Sequence, residues 1–295
     1  MISRALLEID PFDLHATFAM QLLGKFDPTG SRGIASLRKV HLDARGNLVI
    51  WRFTQTASAL SIEVAGDGGR LLDSMTRQFP LADGAESFAP EHPLLRRLSS
   101  GFRGLRLMRM PWTFDVAAGA VLQQRVRWQT AYTDFRRIAL RWGTRTEGGA
   151  AFPTSAQLAS VPIARLESIG LDPKRARALH LLACADARHG FLHPDADADT
   201  VTDRLLSIRG IGPWTAGHVA GVAFGHADAV PVGDLHLPSL VTSALAGEAT
   251  GTDARMLELL ACYPGQRFRV IRLLLWAARR TPHVFRQFSV AGQLN

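Results

Sequence analysis

The sequence predicts a mostly α-helical protein with an N-terminal α+β domain built on a small antiparallel sheet. Three observations carry this. Two β-type runs, GNLVIWRFT and ALSIEVAG, both fall before residue 70. From about Pro111 onward, apolar residues recur at helical spacing between capping residues. Hydrophobic residues make up 47% and charged residues 20% of 295 positions, enough to bury the cores of two or three ordinary domains. The expected division is an α+β unit over 1–105 and an all-helical region over 106–295, the latter in two helical subdomains with a cleft between them.

The elements follow in order. ARGN is a turn leading into GNLVIWRFT, and the second run follows after small and polar residues. RLLDSMTRQF and PLLRRLSSGF read as helices. Asp115 is a good N-cap for VAAGAVLQQRV, and Gly143 ends DFRRIALRWG. A Thr or Ser caps PTSAQLASV. PKRARALHLLACADARHG opens at Pro173 and closes at Gly190. TDRLLSI, TAGHVAGVAF, TDARMLELLACY and QRFRVIRLLLWAARR complete the helices.

A net charge of +8 and a pI of about 10.6 point to a polyanionic partner, usually nucleic acid. Lysine occurs only at Lys25, Lys39 and Lys174, so nearly all of the 34 basic residues are arginine. A GC-rich genome explains that preference but not the excess over 26 acidic residues. Cys184 and Cys262 are too few for a disulfide framework or a four-cysteine metal or iron–sulfur site. Asp10, Asp13 and His15 interrupt any signal-peptide core, and no run of about 18 apolar residues could span a bilayer. A cytoplasmic chain with no membrane association and no obligate protein partner is expected. HPDADADT at 193–200 lacks the glycine and terminal glutamate of an EF-hand loop and reads as a polar loop.

The informative stretch is LLSIRGIGPWTAGHVAGVAFG, 205–225. Glycines and a proline break one helix and start another at once. Such a hairpin permits positive φ and close backbone approach, and its second helix aims free N–H groups outward, where a phosphate oxygen is stabilised. An ordinary αα-hairpin with a glycine turn would look the same. The continuation, HADAVPVGDLHLPSLV, sets Asp234 a short distance beyond the second helix. IRGIGPWTA, an apolar helix and VPVGD together resemble the helix-hairpin-helix (HhH-GPD) DNA glycosylase superfamily. AVLQQRV, FPTSAQLASV and LESIGLDPKRARALHLLA are similar to the bacterial 3-methyladenine DNA glycosylase II family. The resemblance covers about residues 110–280. The N-terminal layout also fits that family, whose members carry a TATA-binding-protein-like domain there.

This resemblance implies a monofunctional enzyme of base excision repair. It would bind double-stranded DNA, flip out an alkylated base such as 3-methyladenine or 7-methylguanine, and hydrolyse the N-glycosidic bond. Members that also cut the strand carry a Schiff-base lysine two residues after the second hairpin glycine; here Trp214 stands there. Asp234 would stabilise positive charge on the sugar, although an aspartate here could equally cap LHLPSLV. Trp214, His218 and Trp276 would line the base pocket, with core packing as the other reading of each. Arg269, Arg272, Trp276 and Arg280 share one side of their helix, and Phe268, Ile271, Leu274 and Leu275 another. Arg125 matches the residue that plugs the emptied duplex, with Gln124 beside it in the minor groove. Arg209, Gly210, Ile211, Gly212 and Thr215 would hold DNA backbone. No cofactor is required, but a K+ or Na+ ion is expected at the carbonyls of the Gly210–Gly212 turn. Deaminated, etheno or oxidised bases remain open as substrates, as does a non-catalytic damage-binding protein.

Overall fold

The computed structural model describes residues 2–8, 11–23, 27–66, 69–77 and 83–280. The N-terminal unit holds β1 (Ile2–Glu8), α1 (Leu14–Thr17), β2 (Gly30–Arg32), β3 (Ser36–Leu42), β4 (Leu48–Gln55), β5 (Ala59–Ala65) and α2 (Gly69–Arg77). The strands form one antiparallel sheet in the order β1-β5-β4-β3-β2. Alternation sets its buried face: Val49, Trp51 and Phe53 of β4 point the same way as Leu60, Ile62 and Val64 of β5. Phe53 pairs with Ile62 and Trp51 with Val64 across the ladder.

The sheet has three strands beyond the two apolar runs that announced it. In β3, SLRKVHL, the buried positions include Lys39 and His41, which no hydrophobic pattern marks as interior. The partner of Lys39 lies in a distant element. Lys39 Nζ pairs with Asp115 Oδ2 at 3.0 Å and donates to Thr29 Oγ1 at 2.6 Å. This corrects the expectation for Asp115. The N-cap of α4 (Thr113–Leu122) is Trp112, so Asp115 lies in the first turn, turned inward to the ammonium. Burial outweighs the lysine and raises the Asp115 carboxyl to about 6.

The rest is helical apart from a short hairpin, β6 (Thr144–Thr146) and β7 (Gly149–Ala151). The helices are α3 (Pro93–Gly101), α4, α5 (Trp128–Trp142), α6 (Ser155–Ala159), α7 (Ile163–Ser168), α8 (Pro173–His189), α9 (Ala198–Leu206), α10 (Pro213–Ala223), α11 (Leu237–Ala246), α12 (Asp253–Leu260) and α13 (Arg267–Arg280). Local chemistry sets the predicted ends. Thr154 and Gln157 form a reciprocal capping box on α6, and Asp172 caps α8 ahead of Pro173. Gly190 ends α8 with φ +57°, as a left-handed terminus requires. Gln78 and Phe79 of the expected RLLDSMTRQF helix, and residues 281–295 of the expected helical region, lie outside the described residues.

Two apolar clusters result. The larger runs from the sheet through Trp112 and α4 into α8, α9 and α10. The smaller joins Leu95 of α3 to Leu240, Val241, Met256, Ile271 and Leu274 of the last helices. Among the described residues no helix is long and apolar enough to cross a membrane.

Candidate active site

A cavity of about 120 Å³ opens between the two clusters. One wall carries Met20, Gln123, Val126, Trp128, Trp214 and His218; the other carries Asp234, Leu237, Leu240, Phe268, Ile271 and Leu275.

The hairpin and its helix build the first wall. Gly210 takes φ +93° between α9 and α10, and Pro213 opens α10 after an extended Gly212. Ile208 and Ile211 are buried and anchor the turn, and the Ile211 N–H donates to Ile208 O at 3.0 Å. Two glycines on α10 then admit the opposite wall. A Cβ at Gly217 would lie 2.5 Å from Val230 O, so the glycine lets the Val230–Pro231 backbone rest on the helix. A Cβ at Gly221 would lie 2.4 Å from the Phe268 ring, so this glycine seats α13. The chain that crosses Gly217 leads directly to Asp234.

Asp234 is half-buried, with both oxygens engaged. Trp214 Nε1 donates to Oδ2 at 2.7 Å, and the backbone N–H groups of His236 and Leu237 donate to Oδ1 at 2.8 Å each. The carboxylate therefore ties down the entrance of α11 and is also oriented by the tryptophan. His218 lies one turn beyond Trp214, its ring stacked on the indole at 5.2 Å between centroids. Burial lowers its pKa to about 4, against a smaller opposing pull from Asp234, so the ring is neutral at pH 7. Among the described residues no lysine lines the cavity.

The loop after α4 closes the mouth. Buried Arg175 donates to Leu122 O at 3.0 Å and pairs with buried Asp134 at 2.8 Å, fixing the end of α4 against α5. Gln124 Nε2 donates to Gly210 O at 3.0 Å and to Thr215 Oγ1 at 2.9 Å, joining loop to hairpin. Arg125 is exposed beside it and holds φ +55°, a left-handed conformation found at no other described non-glycine residue. Arg209 is exposed on the hairpin.

Three of the expected site residues are placed differently by the structure. Trp276 does not line the cavity; Phe268 and Leu275 of α13 do. The helix presents its Phe268–Ile271–Leu275 face to the cavity, and the face with Arg272 and Trp276 turns elsewhere. Arg272 donates to Ala16 O at 2.7 Å, and Trp276 is buried in the larger cluster under Arg279 and Arg280. The periodicity separated those faces but did not say which of them meets the cavity. Thr215 is only 2% exposed and its hydroxyl accepts from Gln124, so it serves the internal joint rather than a phosphate. Gln124 likewise commits its amide N–H groups inward. Trp128 and Met20 escaped the sequence reading. Trp128 followed a charged loop with no apolar period around it, and Met20 belongs to the N-terminal unit, far away in sequence. The short spacing of Gln124 and Arg125 before Trp128 was the available signal.

The fold, the hairpin and the held carboxylate define a helix-hairpin-helix protein. The family model of the HhH-GPD superfamily of base excision DNA repair proteins matches residues 118–261. The chain is 34% identical over 131 residues to DNA-3-methyladenine glycosylase 2 of Escherichia coli (strain K12), covering 43% of this chain and 46% of that one. The chain spans about half or less of the length of the curated relatives it matches. Among solved structures, the 3-methyladenine DNA-glycosylase from Archaeoglobus fulgidus superposes with a TM-score of 0.72 at 20% identity, over 92% of this chain and 98% of that one. The Clostridium acetobutylicum 8-oxoguanine glycosylase/lyase, in complex with DNA, superposes with 0.67 at 16% identity, over 96% and 98%. The shared fold thus occurs in proteins named for strand cleavage and in proteins that are not.

Proposed function

We propose that this protein is a monofunctional DNA glycosylase that removes alkylated bases from duplex DNA and leaves an abasic site. One observation carries the reading: a carboxylate, Asp234, is held by the Trp214 N–H at the wall of an aromatic cavity that no lysine among the described residues lines.

A base stacked in the duplex is out of reach, so the nucleotide turns out at a cost of a few kcal/mol, least for damaged bases. The base enters between the Trp214–His218 stack and Phe268. An electron-rich indole favours a cationic alkylpurine by roughly 0.5–2 kcal/mol over a neutral one. As the bond to C1′ lengthens, positive charge grows on the sugar. Asp234 stabilises that charge and orients water toward C1′. With Trp214 where a Schiff-base lysine would stand, and no lysine among the described lining residues, no Schiff base forms and the sugar–phosphate strand stays intact. The exposed Arg125 fills the space left in the duplex, with Gln124 behind it. Arg209 and the Gly210–Gly212 backbone hold the phosphates. A K+ or Na+ ion would add to this at the carbonyl oxygens of the turn. Gly210 O accepts from Gln124 and Gly212 O from the Ala216 N–H, so each would offer its second lone pair.

The test is base release from methylated duplex DNA, with the freed bases resolved by chromatography and the DNA analysed with and without alkali. Free 3-methyladenine with strand breaks only after alkali is expected. Breaks without alkali would overturn the monofunctional reading. Binding without any release would leave a damage-binding protein.

A further inference from the structure

The cavity is aromatic and aliphatic except for a few polar groups, and most of these are spoken for. Both Asp234 oxygens are engaged, and the Trp214 N–H points at Asp234. His218 differs. Among the described residues no protein group hydrogen-bonds either of its ring nitrogens. Nor are those nitrogens sealed in protein, unlike Nδ1 of His92, His180 and His226, which are buried without a partner. The residue itself is only 8% exposed, and the space it meets is the cavity. Gln123 and His236 lie on the same lining but are half-exposed, and Gln123 Nε2 donates to Gly119 O at 3.1 Å.

A buried polar group that loses water without gaining a partner is costly, and that cost falls due when a flipped base fills the cavity. A base bearing a polar group at that edge satisfies the imidazole; a base with only C–H there does not. A neutral imidazole has one N–H and one bare nitrogen, so it can meet an oxo or an amino substituent according to tautomer. It also leaves a cationic base unrepelled. A pocket built around a hydrogen bond discriminates against the analogue lacking it far more sharply than an apolar slot rejects a change of shape.

We propose that His218 reads the polar edge of the flipped base by a hydrogen bond, so that the pocket selects purine lesions, cationic or neutral, that keep a 6-oxo or 6-amino group. This rests on the glycosylase reading above and narrows its substrate class.

The test compares two otherwise identical duplexes, one carrying hypoxanthine and the other unsubstituted purine. The quantity read is the ratio of kcat/KM for the two bases in wild type divided by that in His218→Phe. The double ratio cancels the intrinsic lability of each glycosidic bond. A value of about ten or more is expected, with binding to an abasic duplex unchanged. A value within about twofold of one, in a folded and active variant, would overturn the inference. If His218→Phe does not fold, the wild-type protein supplies the measurement through its His218 ring ¹⁵N shifts. These should move on binding a duplex with a 2′-fluorinated hypoxanthine nucleotide but not its purine counterpart; equal shifts overturn the inference. A wild type that releases neither these bases nor 3-methyladenine overturns the glycosylase reading itself.

Discussion

The sheet unit and the cavity both bury polar side chains, but they treat them oppositely. Behind the sheet, Lys39 meets Asp115 and Thr29. His41 Nδ1 donates to Leu42 O at 3.1 Å, and its Nε2 accepts from Trp51 Nε1 at 3.0 Å. Trp112 Nε1 donates to Gln21 Oε1 at 3.0 Å, while Gln21 Nε2 donates to Val222 O at 2.7 Å and so ties the unit to α10. At the cavity, His218 faces open space with no hydrogen-bond partner among the described residues. Paired interior groups fix a structure; unpaired ones beside a cavity await something the chain does not supply.

The largest effect should come from breaking the paired region. Lys39→Met leaves Asp115 buried without its cation and should cost about 3 kcal/mol in chemical denaturation. The double variant Lys39→Met/Asp115→Leu removes both charges and should recover most of that loss. If the single variant unfolds at the wild-type midpoint, the pair is not a stabilising element. In the cavity the expected signature is reversed. Asp234→Asn should lower base release at least about 100-fold while damaged-duplex binding persists. Near-wild-type release would remove Asp234 from the mechanism.

Acid sharpens the same comparison. Burial lowers His41 to about 3 and His218 to about 4, both below the unfolded value of 6.5. Below pH 6.5 the unfolded chain takes up protons that the folded chain refuses, so each histidine costs about 2 kcal/mol between pH 7 and pH 5. Asp115 has the opposite sign. Its folded value, about 6, exceeds the unfolded 3.8, so acidification returns about 1 kcal/mol. A net loss of about 3 kcal/mol between the two pH values is expected from denaturation curves, and His218→Phe should remove about 2 kcal/mol of it. A pH-independent stability would mean these rings are not held neutral.

How far the sequence revealed all this depended on range. The hairpin, Pro213, the Gly190 terminus and the proximity of Trp214 to Asp234 were legible because the governing interactions are local or lie along one short segment. Lys39 and Asp115 were not, because each makes sense only beside a residue far along the chain. Met20 in the cavity has the same cause. Trp276 shows a different limit. Periodicity divides a helix into faces, but only the packing of Phe268 into the notch at Gly221 decides which face meets the cavity.

The smallest effect isolates the loop between the two regions. Arg125 sits at φ +55°, where a Cβ is strained and glycine is at ease. The strain is sustained because both flanks are fixed, Leu122 O by Arg175 and Gln124 by the hairpin. Arg125→Gly should therefore leave stability unchanged or raise it by up to about 1 kcal/mol. If the side chain is the plug for the emptied duplex, the same substitution should weaken binding to an abasic duplex by about fivefold or more, at constant salt because phosphate contacts are screened. Arg125→Ala separates the two contributions, since it removes the guanidinium and keeps the strain. Equal binding losses in the two variants assign the effect to the side chain. A loss confined to glycine would assign it to loop rigidity, and no loss in either would leave the strained arginine without a part in DNA recognition.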